Sequence, residues 1–371
     1  MRSLHFLHPF LRSAESLRLN AISICVMIAN SVTTIWKDMA QNNSRNARKI
    51  LLAAMIAATA AVTALLPATA SAAPPARQTT QVPGYYRLNV GDIEVTALYD
   101  GYVALDTKLL KGASANDIQQ LIGRMFIASS KGVQTAVNAF LINTGKNLIL
   151  IDTGAAKCFG PTLGVIGDNL RAAGYEPAQI DSVLLTHLHG DHACGLVAAD
   201  GKPAFPNATV YVSRDEAGFW LNKDIAAKAP KEAQGFFKMA DDSVAPYARD
   251  GKLKQFAAGD KLMEGVVSVP TPGHTPGHAG YMFSSGDQQL LVWGDIVHSH
   301  AVQFARPEVA IEFDVDNKKA IATRKKVFAD AAKNKLWIAG AHLPFPGIGH
   351  VRAEKKGYAW VPLEYSPVIS K

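Results

Sequence analysis

The stretch from Asp181 to His192 constrains this chain more than any other. Its apolar run, Val183 to Leu185, is bounded by polar residues and is too short for a helix, so it reads as a buried strand. The run empties into His187-Leu188-His189-Gly190-Asp191-His192, three imidazoles and a carboxylate within six positions. Alternate residues of a strand share a face, so His187 and His189 can address one cation. After the turn at Gly190, Asp191 and His192 can address a second. Imidazole and carboxylate donors suit zinc or a related divalent metal. A lone histidine is usually a surface or satisfied core residue, but four ligand-type side chains in six positions are not explained that way.

With 48% hydrophobic and 19% charged residues among 371, the composition is that of an ordinary globular protein. The net charge of +7 is unevenly placed. Residues 1–72 carry seven Lys/Arg against two Asp/Glu, leaving 31 against 29 in the remainder. A basic stripe for nucleic acid is therefore not expected.

The excess charge belongs to a leader. Met39 is followed by Arg45, Arg48 and Lys49, then an apolar stretch from Ile50 to Leu66, then Ala70-Ser71-Ala72. This is the plan of a signal peptide over 39–72, cut after Ala72. Residues 1–38, with a mixed apolar run from Leu19 to Trp36, read as an upstream extension. The expectation is one exported domain over 73–371, periplasmic or secreted, with no stable membrane anchor after cleavage.

Alternation predicts a hairpin of Tyr86–Val90 and Ile93–Leu98, and a second of Val137–Ile142 and Leu148–Ile151 ending in Asp152. Helical stretches are expected over 113–131, Leu163–Ala173, much of 214–249, and Lys318–Lys333. Further strands are expected at 208–213, Val266–Val269, Gly280–Phe283, Leu290–Trp293 and Leu336–Ala339, with Tyr358–Leu363 closing the chain. Two β-rich halves, each finished by helices, suggest an α+β protein with two mixed sheets face to face and helices outside.

More ligand-type residues fall at the ends of predicted strands. His274 lies in Thr271-Pro272-Gly273-His274-Thr275-Pro276-Gly277-His278, Asp295 follows Leu291-Val292-Trp293-Gly294, and His342 follows Trp337-Ile338-Ala339-Gly340-Ala341. Together with the 187–192 stretch, these residues resemble the binuclear metal motif of the metallo-β-lactamase superfamily, and Asp152 matches that family's first, supporting aspartate. The resemblance implies an αββα sandwich. It implies that His187, His189 and His274 hold one ion, that Asp191, His192 and His342 hold another, and that Asp295 bridges the two. Asp152 would orient ligands rather than bind metal. The implied cofactor is a pair of divalent ions, zinc in the first instance, and the implied assembly is a homodimer.

Such a pair would bring the pKa of a shared water to roughly 7. The expected reaction is attack of the resulting hydroxide on an electrophilic centre, with Asp191 or Asp295 orienting the nucleophile and taking its proton. A closer resemblance, to the methyl parathion hydrolase and dihydrocoumarin hydrolase group, rests on Pro83-Gly84-Tyr85-Tyr86-Arg87, Asp152-Thr153-Gly154-Ala155-Ala156, Ala204-Phe205-Pro206-Asn207, Ala301-Val302-Gln303-Phe304 and the run from His342 to His350. It implies a pocket of Leu109, Phe159, Trp220, Phe236, His298, Ile311 and Phe313. At Leu109, His298, Ile311 and Phe313 the chain departs from the organophosphate-degrading members, which carry arginine, leucine, threonine and leucine there. Larger groups at His298, Ile311 and Phe313 favour a flat lactone or aryl ester over a bulky phosphotriester. The expected substrate is a small ester or lactone. Organophosphate hydrolysis, acyl-homoserine lactone hydrolysis and an iron-dependent redox activity of the persulfide dioxygenase type are the alternatives.

Cys158 and Cys194 are the only cysteines of the expected mature chain. In the fold that the resemblance implies, their loops leave one edge of neighbouring strands, so they either pair or stay as two separate buried thiols.

Overall fold

The strands, in chain order, begin with β1 (Tyr85–Val90), β2 (Ile93–Leu105), β3 (Leu110–Lys111), β4 (Val133–Asn143), β5 (Leu148–Ile151) and β6 (Ser182–Leu184). They continue with β7 (Thr209–Ser213), β8 (Leu253–Phe256), β9 (Lys261–Met263), β10 (Val266–Pro270) and β11 (Ala279–Ser285). The last are β12 (Gln288–Val292), β13 (Ala310–Ile311), β14 (Trp337–Ala339), β15 (Ile348–Ala353) and β16 (Tyr358–Pro362). The computed structural model describes residues 75–367 and isolated positions between 26 and 56. The signal-peptide cleavage site lies outside the described residues, as does most of the leader. Residues 81–371 form a unit of their own. Among the described residues no helix is long and apolar enough to cross a membrane.

Two seven-stranded mixed sheets carry the fold, ordered β1-β2-β4-β5-β6-β7-β8 and β16-β15-β14-β12-β11-β10-β9, and β13 pairs with β3 in a short ribbon. Phe140, Ile149, Ile151 and Leu184 of the first sheet belong to one buried cluster with Tyr281, Phe283, Leu290 and Val292 of the second. Eight helices are described: α1 (Ala115–Arg124), α2 (Ile166–Ala172), α3 (Gly190–Ala193), α4 (Arg214–Trp220), α5 (Lys223–Lys228), α6 (Lys231–Arg249), α7 (His300–Gln303) and α8 (Asn317–Asn334). Leu170 of α2, Trp220 of α4 and Phe237 and Val244 of α6 share a cluster with Val183 and Val210 on the far face of the first sheet. Val327 and Phe328 of α8 pack with Leu291 and Ile338 on the far face of the second. Because β6 is covered on both faces, it reads as an unbroken apolar run rather than an alternating one.

The central strands place the site. β5, β6 and β7 run parallel, as do β12 and β14, so each set ends at one edge of its sheet. Asp152 follows β5, the 187–192 segment follows β6, Asp295 follows β12 and His342 follows β14. β10 is antiparallel to β11, which is antiparallel to β12, so the His274 loop leaves from the same edge.

Some elements differ from the pattern reading for identifiable reasons. β6 stops at Leu184, before the histidines, so strand alternation does not orient His187 and His189. They lie on the loop that follows, with His189 itself extended (φ −67°, ψ 152°) just before α3. β2 runs on past Leu98 through a bulge, its register against β4 shifting between Tyr99 and Gly101. Gly101 sits at φ 134°, where a Cβ would lie 1.8 Å from the Thr162 carbonyl oxygen. The bulge frees Asp100, whose buried carboxylate accepts hydrogen bonds from the backbone N–H groups of Ala155, Gly164 and Ile166. The 214–249 stretch is three helices, because Asn222 caps α5 through two side-chain hydrogen bonds and Pro230 precedes α6.

Candidate metal centre

Loop and sheet-edge residues from both halves converge on Asp295. Its Oδ2 lies 3.1 Å from His342 Nε2, 3.2 Å from His274 Nε2 and 3.6 Å from His187 Nε2. Its Oδ1 lies 3.2 Å from His192 Nε2. Asp191 Oδ2 stands 3.5 Å from His192 Nε2 and 3.4 Å from His342 Nε2, and His189 turns Nδ1 to within 3.1 Å of His274 Nε2. The ligand-type atoms form one set of His187, His189, His274 and Asp295 and a second of Asp191, His192 and His342, those within each set lying within 4.8 Å of one another.

Four of the imidazoles have their tautomers set from behind. His192 Nδ1 donates to Asp152 Oδ2 at 2.9 Å, His274 Nδ1 to Asp314 Oδ1 at 2.9 Å, and His342 Nδ1 to the Ala136 carbonyl at 2.8 Å. Thr186 spends its hydroxyl proton on Asp152 and accepts from His187 Nδ1 at 3.0 Å. With a proton held on Nδ1, each ring turns Nε2 to the centre, the arrangement that metal-binding histidines need. Asp152 holds its place in a left-handed backbone conformation, φ 60°, which aspartate tolerates better than most residues.

Two ring nitrogens, His187 Nε2 and His192 Nε2, and one carboxylate oxygen, Asp295 Oδ1, are buried without a hydrogen-bond partner. Leaving such groups unpaired is costly. Three orphaned acceptors pointing into a ring of further donors fit divalent cations.

The electrostatics agree. Burial lowers His192, but Asp295, Asp191 and Asp152 outweigh it and hold its pKa well above the usual imidazole range. His274 is likewise pushed up to about 9, its burial outweighed by hydrogen bonds to Asp295 and Asp314. Burial, then repulsion from His192, holds His187 well below. Burial raises Asp295, yet His192 and His342 bring it well below the carboxylate range. The carboxylates draw positive charge into a buried site.

Three supports had no obvious mark in the sequence. Glu216, fully buried on α4, accepts hydrogen bonds from Leu188 N at 2.9 Å, Thr275 Oγ1 at 2.7 Å and Gly277 N at 3.0 Å. It thus ties the 187–192 loop of one sheet to the His274 loop of the other. Gly277 allows the approach, since a Cβ there would lie 2.0 Å from Glu216 N. Burial pushes Glu216 up to about 7 against the pull of those hydrogen bonds. Asp314 is braced by Arg324, 3.9 Å away and itself buried. His278 accepts from Asp295 N at 3.0 Å, fixing the backbone of the central aspartate. Only the Gly-His repeat in 273–278 hinted at a role for it.

The expected pocket residues divide. Trp220 packs edge-on to His189 at 5.2 Å between centroids and Phe236 lies at 6.4 Å. Phe159 lies beside Gly190, and Phe313 stands 6.4 Å from His298. Leu109 packs against a cluster that contains Ile311, and Ile311 is fully buried there among Leu105, Leu110, Val302 and Val309. Ile311 therefore has no surface on the pocket, although a smaller residue there would change what stands in front of it. His298 is closer to the centre than a wall residue: its Nε2 is 3.1 Å from Asp295 Oδ2, and with Asp295 and His342 it forms a third ligand-capable group. Cys158 and Cys194 form a disulfide with Cα atoms 6.5 Å apart, joining the Phe159 loop to the turn after His192.

Comparison with known proteins gives the frame for these residues. The hydrolase AbOPH of the beta lactamase superfamily is 48% identical in sequence, with a TM-score of 0.75 over 78% of this chain and 100% of that one. AidC, a dizinc quorum-quenching lactonase solved with a product, is 28% identical with a TM-score of 0.70 over 76% of this chain and 99% of that one. An N-acyl homoserine lactonase of Bacillus thuringiensis is 24% identical over 235 residues, 58% of this chain and 84% of that protein. The profile of the metallo-beta-lactamase superfamily matches residues 132–342, from the start of β4 to the last ligand-type histidine. With the two-sheet sandwich, this match shows that the chain belongs to the metallo-beta-lactamase superfamily of hydrolases.

Proposed function

We propose that this hydrolase uses two divalent metal ions, zinc in the first instance, to open lactones and cleave aryl esters of the dihydrocoumarin type, with phosphotriester turnover as a side activity. The observation that carries the reading is Asp295, whose two oxygens face ligand nitrogens from both sets. His187, His189 and His274 would hold one ion, Asp191, His192 and His342 the other, and Asp295 both. When bound, such ions supply Lewis acidity, making water reactive near neutral pH and polarising a carbonyl oxygen.

The chain's own groups divide the remaining work. The Asp191 side chain is 20% exposed against 2% for Asp295, so Asp191 is the carboxylate that can reach and orient incoming water. Burial raises its pKa, but His192 and His342 bring it well below the carboxylate range, so it stays ionised as an acceptor of hydrogen bonds. Asp295 then acts as ligand. Phe236, 40% exposed, offers apolar surface beside His189, where a flat substrate can displace water, and the buried Trp220 packs against the same histidine. Likeness to the lactonase AidC supports a lactone and makes acyl-homoserine lactones the second substrate class.

A panel of dihydrocoumarin, an N-acyl homoserine lactone and methyl paraoxon, run on metal-quantified protein, tests the reading. We expect the highest kcat/KM for dihydrocoumarin. Methyl paraoxon as the best substrate would replace this reading with that of an organophosphate hydrolase.

A further inference from the structure

A concavity of about 160 Å³, lined by Tyr99, Thr135, His298, His300, His342 and Phe345, opens beside the candidate metal centre. We propose that it is a substrate subsite that takes the aryl ring of an aryl ester or aryl lactone. The proposal rests on the hydrolase reading above.

Position is the first argument. His298 and His342 line the concavity and also lie 3.1 Å from Asp295, so a molecule seated there is in reach of the centre. Size is the second. A cavity of about 150 Å³ in a protein interior holds one benzene molecule, so this space matches one aromatic ring and is too small for two fused rings together with a long acyl chain. The walls are the third. Tyr99 and Phe345 meet edge to face with centroids 5.6 Å apart, and Phe345 is 36% exposed, which leaves aromatic surface for a further ring. His298 and His342 stack at 4.9 Å on another side.

Backbone features of β2 and β4 shape this space. Tyr99 is the last residue before the bulge in β2, and bulges commonly re-aim side chains near active sites. Thr135 and Ala136 come from the start of β4, where the Ala136 carbonyl also anchors His342. Phe236, beside His189, is 40% exposed, and Phe313, beside His298, is 44% exposed. A substrate with one flat ring and one reacting carbonyl can seat the ring beside His342 and leave its acyl part to these neighbouring surfaces.

Two measurements test this. Phe345→Trp and Tyr99→Trp fill the space, and each should lower the ratio of kcat/KM for dihydrocoumarin over kcat/KM for δ-valerolactone by about tenfold, the scale of a hydrophobic-pocket misfit. Metal content and thermal midpoint are checked beside them. A ratio that stays within twofold of the unsubstituted protein in both variants overturns the subsite. The second measurement does not depend on turnover. Crystals soaked in phenol should show a ring in the concavity, against Tyr99, Phe345 and His342, and Phe345→Trp should abolish it. Phenol absent from this position, or bound equally by the variant, also overturns it. If the unsubstituted protein hydrolyses neither lactone but binds phenol there, the substrate reading has failed and the ring-binding site stands.

Discussion

Glu216 shows how much one side chain can hold when its surroundings are all donors. Its carboxylate receives two backbone N–H groups and one hydroxyl from segments that belong to different sheets. Glu216→Gln keeps the shape but turns one acceptor into a donor, facing Thr275 and Gly277. The Thr275 hydroxyl can rotate to accept, while the Gly277 N–H is left unpaired. The expected cost is about 1–3 kcal/mol of stability, the range for a buried unsatisfied group. Because the clamp positions both ligand loops, the variant should also release metal to a chelator faster than the unsubstituted protein. Urea unfolding and chelator competition read the two effects separately. Unchanged values in both would mean that Glu216 merely fills space.

At the scale of elements, the segment between β5 and α2 is the one that most needs outside support. It has no regular structure, yet it carries Phe159 beside the turn at Gly190. Asp100 pins it from the bulge in β2, and the Cys158–Cys194 bridge pins it to the turn after α3. The two cysteines are 36 residues apart in sequence, a loop for which chain entropy alone predicts roughly 3–4 kcal/mol of stabilisation. Export to an oxidising compartment, which we propose from the leader, is where such a bridge forms. Replacing both cysteines by serine should lower the unfolding free energy by about 2–4 kcal/mol in denaturant titrations. Two titratable thiols per unfolded, unreduced chain would show instead that the bridge does not form in solution.

For the molecule as a whole, the candidate metal centre is a seam. His187, His189, Asp191 and His192 come from the first sheet, and His274, Asp295 and His342 from the second. Ions bound across them favour the state in which the two sheets face each other. A single site filled at a hundred times its dissociation constant adds about 2.7 kcal/mol. Stripping the ions should therefore lower the thermal midpoint by at least about 5 °C, and zinc should restore it. Calorimetry on chelator-treated protein with measured metal content decides this, and a midpoint indifferent to metal would sink the seam.

The sequence by itself determined the chemistry of the centre and the outline of its scaffold. Ligand-type residues collect in 187–192 and after apolar runs at 266–269, 290–293 and 336–339, and short apolar runs are legible because burial on both faces leaves no alternative. Only the tertiary structure decided which groups serve those ligands. Asp314 reaches His274 across forty positions, Glu216 reaches Thr275 across fifty-nine, and Ala136 reaches His342 across two hundred and six. Buried hydrogen bonds of that span leave no local period or composition to read. The same holds for the loop course that turns His187 and His189 inward, for Asp100 freed by a bulge, and for Ile311 standing behind the pocket wall. Each depends on packing between segments that are neighbours only after the two sheets have closed on each other.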